Sequence, residues 1–284
     1  MLEAHLISMG RSAVYVVEAF VLLWIAKAAY TRLYRRVNFK AELFDRGNCA
    51  LAVSMTGYLL GIVIALGGAL GGASAETDWL ADLAGIAWLG VMTIAMMLVA
   101  SFLCEKILLP RFDNTKEVVE DQNLGTAFVE AGVHIANGLI VLATQQGEGS
   151  LWTGLAFWAL AQGVLLIAGR LYEFSTEHSI HEELEKDNAA VGLAFGGGLV
   201  GMGNIIRLAV AGDFTTWQDS LATFGLYVVF GFVVLFVIKK LTDVLLAPGV
   251  KLSRQQTEGT PKVGAGLLEA FGYVGGSMLI IWIL

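Results

Sequence analysis

Two glutamates, Glu130 and Glu269, occupy the same place in two related stretches, NLGTAFVEAG from Asn123 and KVGAGLLEAF from Lys262. Each lies about seven residues into an apolar run, or about 10 Å along a helix that rises 1.5 Å per residue. If the run is in lipid, an ionised carboxylate at that depth costs at least about 3 kcal/mol, so each acid must be protonated, paired or beside water. The chemistry open to it is the handling of a proton or small cation in a cavity. A glutamate hydrogen-bonded to a neighbouring helix to fix packing is the structural alternative. His134 and Asn137, one turn and nearly two turns beyond Glu130, extend a polar stripe, whereas Tyr273 and Gly276 stand at those places in the second stretch.

Glu18 and Arg207 are the other charges inside apolar runs, at a similar depth near the outer ends of their segments. They could form an intramembrane ion pair, with snorkelling of Arg207 to the headgroups as the alternative. The run AFGGGLVGMGN from Ala194 satisfies G-x-G-x-x-G, but a dinucleotide loop needs a strand before it and an acid about 20 residues after it. Here Asn188 reads as a helix cap, and the glycines fall in the middle of an apolar run. Small-xxx-small spacing explains them better: Gly57 with Gly61, and Gly197 with Gly201, let helix backbones approach closely in lipid.

No Ser/His/Asp, Cys/His or H-E-x-x-H constellation appears, so catalytic residues are not assigned and an enzyme is not expected. Glu130 with His134 lacks a third ligand within sequence reach, His178 with His181 is no better, and Cys49 and Cys104 have no Cys or His at metal spacing. Neither a metal nor a cofactor is implied, and no nucleic-acid partner is expected.

The elements that must position these residues follow from composition. Of 284 residues, 56% are hydrophobic and only 15% charged, well above the apolar share of a soluble domain. A bilayer needs about 20 apolar residues per helix. Eight segments qualify, near 12–31, 48–72, 84–105, 123–145, 151–170, 188–212, 220–241 and 263–284. Glu18 and Lys27 in or beside the first run, with no clean cleavage site after it, speak against a signal peptide. Sixteen of the eighteen Lys and Arg residues fall on alternate linkers, while the others carry acids such as Glu76, Asp78, Glu148 and Asp213. Because positive charge is retained in the cytoplasm, both termini are expected on the non-cytoplasmic side.

The chain also repeats itself. Arg32-Leu33-Tyr34 recurs as Arg170-Leu171-Tyr172, Asp45-Arg46-Gly47-Asn48 as Glu185-Lys186-Asp187-Asn188, and Leu108-Leu109-Pro110 as Leu245-Leu246-Ala247-Pro248 with one insertion. Gly57 and Gly61 map onto Gly197 and Gly201, and Gly125 and Glu130 onto Gly264 and Glu269. The fold expected is an all-α integral membrane protein of eight transmembrane helices, built as two four-helix repeats over 1–146 and 147–284. An even helix count makes the repeats parallel rather than inverted. Such a unit, with an acidic-basic-x-Asn entry to a glycine-rich second helix and a G-x-A-[FL]-[VL]-E-A fourth helix, resembles the YjfL-like inner-membrane family (domain of unknown function 350) in tandem. That resemblance implies a multi-pass inner-membrane protein in an envelope-stress setting and carries no assigned chemistry. The first helices of the halves share little, and Glu18 has no acidic counterpart.

Two functions are expected to compete: a small-ion or proton pathway at the repeat interface around Glu130 and Glu269, and a non-catalytic scaffold for an envelope-maintenance system. The expected partners are membrane lipids, further copies of the chain in a homo-oligomer, and a cytoplasmic protein docked on the charged linkers.

Overall fold

In the computed structural model, residues 2–33, 37–72, 78–108 and 113–284 are described. Tyr34, Arg35, Arg36, Glu76, Leu109, Pro110 and Arg111, used above in the repeat and charge patterns, lie outside them. Eight helices are long and apolar enough to cross a membrane. They are α1 (Leu2–Leu33), α2 (Cys49–Gly71), α3 (Trp79–Leu108), α5 (Leu124–Thr144), α6 (Leu151–Ser175), α8 (Ala189–Val210), α9 (Trp217–Leu241) and α11 (Val263–Ile283). Short helices α4 (Asn114–Val119), α7 (Ile180–Glu185) and α10 (Leu252–Thr257) precede α5, α8 and α11, and a π-helical turn, Ala41–Asp45, precedes α2. A second π turn, Thr242–Leu246, follows α9. Helices α1 and α3 start earlier than the apolar pattern indicates. Asp82 in the first turn of α3 is held by the Tyr15 hydroxyl of α1, which donates to it at 2.9 Å.

Helices α2, α5, α8 and α11 form a row in which each packs on the next, and α1, α3, α6 and α9 flank it. The shielded share of the most apolar stretch is 50% in α2, 67% in α5 and 78% in α8, against 17–39% in the flanking helices and 33% in α11, so α2, α5 and α8 carry the core and α11 is an open end of the row. Glycine makes the row possible. A Cβ on Gly57 would fall inside the van der Waals shell of Ala131, and one on Gly197 inside that of Ala270. Gly61 lies against the backbone of His134 as Gly201 does against that of Tyr273. Between α5 and α8, Gly132 meets the backbone of Gly196, and Gly192 that of Gly125.

All four members of the row begin at the same end, and asparagines tie that end together. Asn48 caps α2 by accepting from the Leu51 N–H at 2.9 Å, and its amide donates to the carbonyls of Val118 and Val119 at the end of α4. Asn123 caps α5 and donates to the Leu184 carbonyl in α7. Asn188 caps α8 and donates to the Gln256 carbonyl in α10 at 2.9 Å. Each cap thus satisfies orphan N–H groups of its own helix and holds the short helix leading into the next. The residue before the cap is left-handed at equivalent positions, Gly47 at φ 66° and Asp187 at φ 56°. Glycine takes that conformation freely. Asp187 uses its carboxylate there to accept from the Leu124 and Gly125 N–H groups at 2.7 and 3.3 Å.

The last carbonyls of α3 are held from α6 and α7. Arg170 donates to the Ile107 carbonyl at 2.6 Å, and His181 meets the Leu108 carbonyl at 3.1 Å. Glu173 braces both, 3.3 Å from Arg170 and 2.7 Å from His181. The Arg170 guanidinium at this helix C-terminus complements its dipole. His181 is thereby occupied and not available as a metal ligand.

Candidate functional site

Because α5 and α11 each pack against the glycine face of a preceding row helix, Glu130 and Glu269 both point back into their own half of the chain. Glu130 bonds Ser54 of α2 and faces α3 across a small cavity; Glu269 meets α6, α9 and α10. The expectation of a site at the repeat interface is therefore corrected. That interface, α5 on α8, is filled by glycine and backbone and leaves no room for a carboxylate.

The two niches differ in charge. Glu269 is buried, and its Oε1 accepts from the Tyr172 hydroxyl at 3.1 Å while Oε2 accepts from the Gln256 side-chain amide at 2.7 Å. The Lys239 ammonium stands 3.5 Å from Oε1 and 5.4 Å over the Tyr172 ring. This acid has a counter-ion, two donors and a cation–π contact on that counter-ion.

Glu130 is arranged otherwise. Its Oε2 accepts from the Ser54 hydroxyl, and Ser54 in turn accepts from the Tyr30 hydroxyl at 3.1 Å. The place of Lys239 is taken, 138 residues earlier, by Ser101, whose hydroxyl donates to the Met97 carbonyl at 2.7 Å and accepts from His134 Nδ1 at 3.1 Å. The His134 ring stands edge-on to Tyr30 and Tyr58, at 5.9 and 5.3 Å. A cavity of about 30 Å³ opens beside Glu130, lined also by Ser101, Glu105, Asn114 and His134. It has room for a water molecule. Among the described residues, no cation is paired with Glu130.

The polar stripe on α5 continues further than expected. Asn137 is buried, with its amide 3.7 Å from Cys104 Sγ and its Oδ1 without a partner among the described residues. Beyond the buried Val141 comes Gln145, whose amide donates to Thr93 at 2.6 Å. Gln145 lines a second cavity of about 470 Å³ at the opposite end of the helices. Its walls include Trp88, Met92 and Met96 of α3, Glu148 and Asp213 from the connections on that side, and Asp219 in the first turn of α9.

Glu18 and Arg207 do not pair. Helix α1 packs on α2 and α3, whereas α8 lies in the middle of the row between α5 and α11, and no salt bridge joins the two residues among those described. Glu18 Oε2 is buried without a hydrogen-bond partner there.

Several site residues escaped sequence reasoning. Lys239 was counted among the charges outside the membrane, yet it is the counter-ion of Glu269. Tyr172 donates to Glu269 directly, whereas Tyr30 reaches Glu130 only through Ser54, and the repeated Arg-Leu-Tyr matches Tyr172 to Tyr34 instead. Comparing the halves at an offset of 138, that of the repeated Arg-Leu-Tyr and of Pro110 with Pro248, sets Lys239 against Ser101 and Asp243 against Glu105.

No curated protein and no solved structure matched the chain. The family model described as Domain of Unknown Function (DUF350) matches it twice, over residues 1–144 and 148–284. Those two spans take in one glutamate niche each, and the chain belongs to the DUF350 family as a tandem pair of its domain.

Proposed function

We propose that this is a multi-pass inner-membrane protein, not an enzyme, whose first repeat carries a proton or small cation by way of Glu130. The two repeats enter the bilayer in the same sense, with both termini away from the cytoplasm. The common starting end of α2, α5, α8 and α11 supports the shared sense, and the basic linkers at that end support the orientation. The glycines of the row serve close packing in lipid.

The observation that carries the functional reading is the difference between the niches. One acid is neutralised by Lys239. The other has no paired cation among the described residues, borders a water-sized cavity together with Glu105 and ends a hydroxyl chain through Ser54 to Tyr30. A carboxylate placed so deep without a counter-ion is suited to accept and release a proton. The stripe of His134, Asn137 and Gln145 leads toward the larger cavity, and Val141 closes it.

Flux into liposomes containing the purified protein tests this, with Glu130→Gln and Glu269→Gln made separately. Proton or alkali-cation flux should be lost in Glu130→Gln and kept in whatever fraction of Glu269→Gln stays folded. Absence of flux in the unmodified protein, across Na⁺, K⁺ and a pH gradient, would sink the pathway and leave the scaffold reading in its place.

A further inference from the structure

We infer that the chain associates head to tail with further copies of itself, α11 of one molecule packing on α2 of the next. The argument starts from the joint between its own halves. That joint sets the fourth helix of the first half, α5, against the second helix of the second half, α8. It is heterologous, one surface meeting a different surface, so it leaves one complementary surface unused at each end of the row.

The unused surfaces can be named by the repeat offsets of 140 for α2 and 139 for α11. Gly196 and Gly203 of α8 lie on α5, and their counterparts Thr56 and Val63 of α2 are exposed. On α5, Gly125, Phe128 and Ala136 receive α8. Their counterparts on α11 are Gly264, with open space around it, the exposed Leu267, and Gly275, which meets only the ring of its own Phe271. Apolar exposure alone means lipid contact in such a helix. The correspondence with a surface that is filled inside the same chain is what singles this stripe out.

The ladder of caps points the same way. Asn48, Asn123 and Asn188 each hold the short segment leading into the following row helix, and the ladder runs out at both ends. Lys262, where α11 begins, is exposed and makes no side-chain cap. At the other end of the row, the π turn Ala41–Asp45, which leads into α2, exposes the Asp45 carboxylate. A cation at one end and an acid beside a helical C-terminus at the other are complementary.

The contact between molecules is wider than the one within. Phe271 stands where α5 has Gly132, and Thr56 where α8 has Gly196, so the backbones cannot meet as closely there. An aromatic side chain covering a hydroxyl takes the place of the glycine joint.

Cysteine cross-linking in native membranes tests the arrangement. In a Cys49→Ser background, chains with Val63→Cys and chains with Gly275→Cys are made under different tags and co-expressed. A short thiol-specific cross-linker is expected to give mixed dimers with loss of neither monomer into self-dimers, and a chain carrying both cysteines should give a ladder of multimers. Lys262→Glu should reduce the ladder, and Asp45→Lys added to it should restore it. Self-dimers of either single variant would show a two-fold contact and overturn the proposal. So would cysteines that react with a membrane-permeant maleimide yet never cross-link, because lipid would then cover both faces.

Discussion

Lys239 and Glu269 are worth little to stability as a pair and a great deal as partners. A buried acid and a half-buried lysine that meet recover about what their desolvation cost, while removing one strands the other. Glu269→Gln is accordingly expected to destabilise the protein by about 3–5 kcal/mol, and Lys239→Met in the same chain should recover most of that loss. Unfolding in mixed detergent micelles measures both. Glu130→Gln should cost less than about 1.5 kcal/mol, since Ser54 can donate to an amide oxygen as well as to a carboxylate. Outside the membrane, Glu183 gives a pH signature. Burial pushes its carboxyl up, but the hydrogen bonds from Lys186 and Asn188 prevail and hold it below the ordinary value. Its contribution is therefore present above the unfolded carboxylate range, about 4.3, and is lost as pH falls through the lower folded value. Glu183→Gln should flatten the acid side of the stability profile. Repetition made the two glutamates visible in the sequence. Their partners were hidden, because serine, tyrosine and a lysine near a helix end are ordinary at any one position and acquire meaning only when packing brings them to a carboxylate.

At the level of helices, the joint between α5 and α8 depends on backbone reaching backbone. Gly132→Val puts a branched side chain where Gly196 already stands, and the helices must part. Overpacking of this kind costs about 1–3 kcal/mol or more. The same change at Phe271, the equivalent residue on α11, should leave unfolding nearly unchanged. Unfolding of the two variants side by side checks the contrast. The eight spans were legible because length and apolar content suffice to define a helix in lipid. The row was less so: glycine spacing indicated close approach without saying which helix approaches which. Helix ends were misjudged where a polar residue finds a partner, as Asp82 does with Tyr15, since such a pairing extends a helix past the point where its apolar pattern stops.

For the molecule as a whole, orientation is the first quantity to measure. Glu148→Cys should react with a membrane-impermeant maleimide added to intact cells, and Lys116→Cys only after the cells are opened. The reverse would invert the protein. The duplication was readable from short matches scattered along the chain, but the unequal chemistry of its halves was not, because it resides in a lysine and a serine on the third helix of each half.

That inequality has a genetic consequence. In an assembly of identical single-domain chains, a substitution that places a lysine beside one glutamate places it beside every glutamate. Covalent fusion across the short connection from Gln145 to Ser150 removes that constraint. One half could acquire a permanent counter-ion while the other kept a free acid, and selection could then act on each separately. A single-domain relative would have to choose one state for all of its subunits.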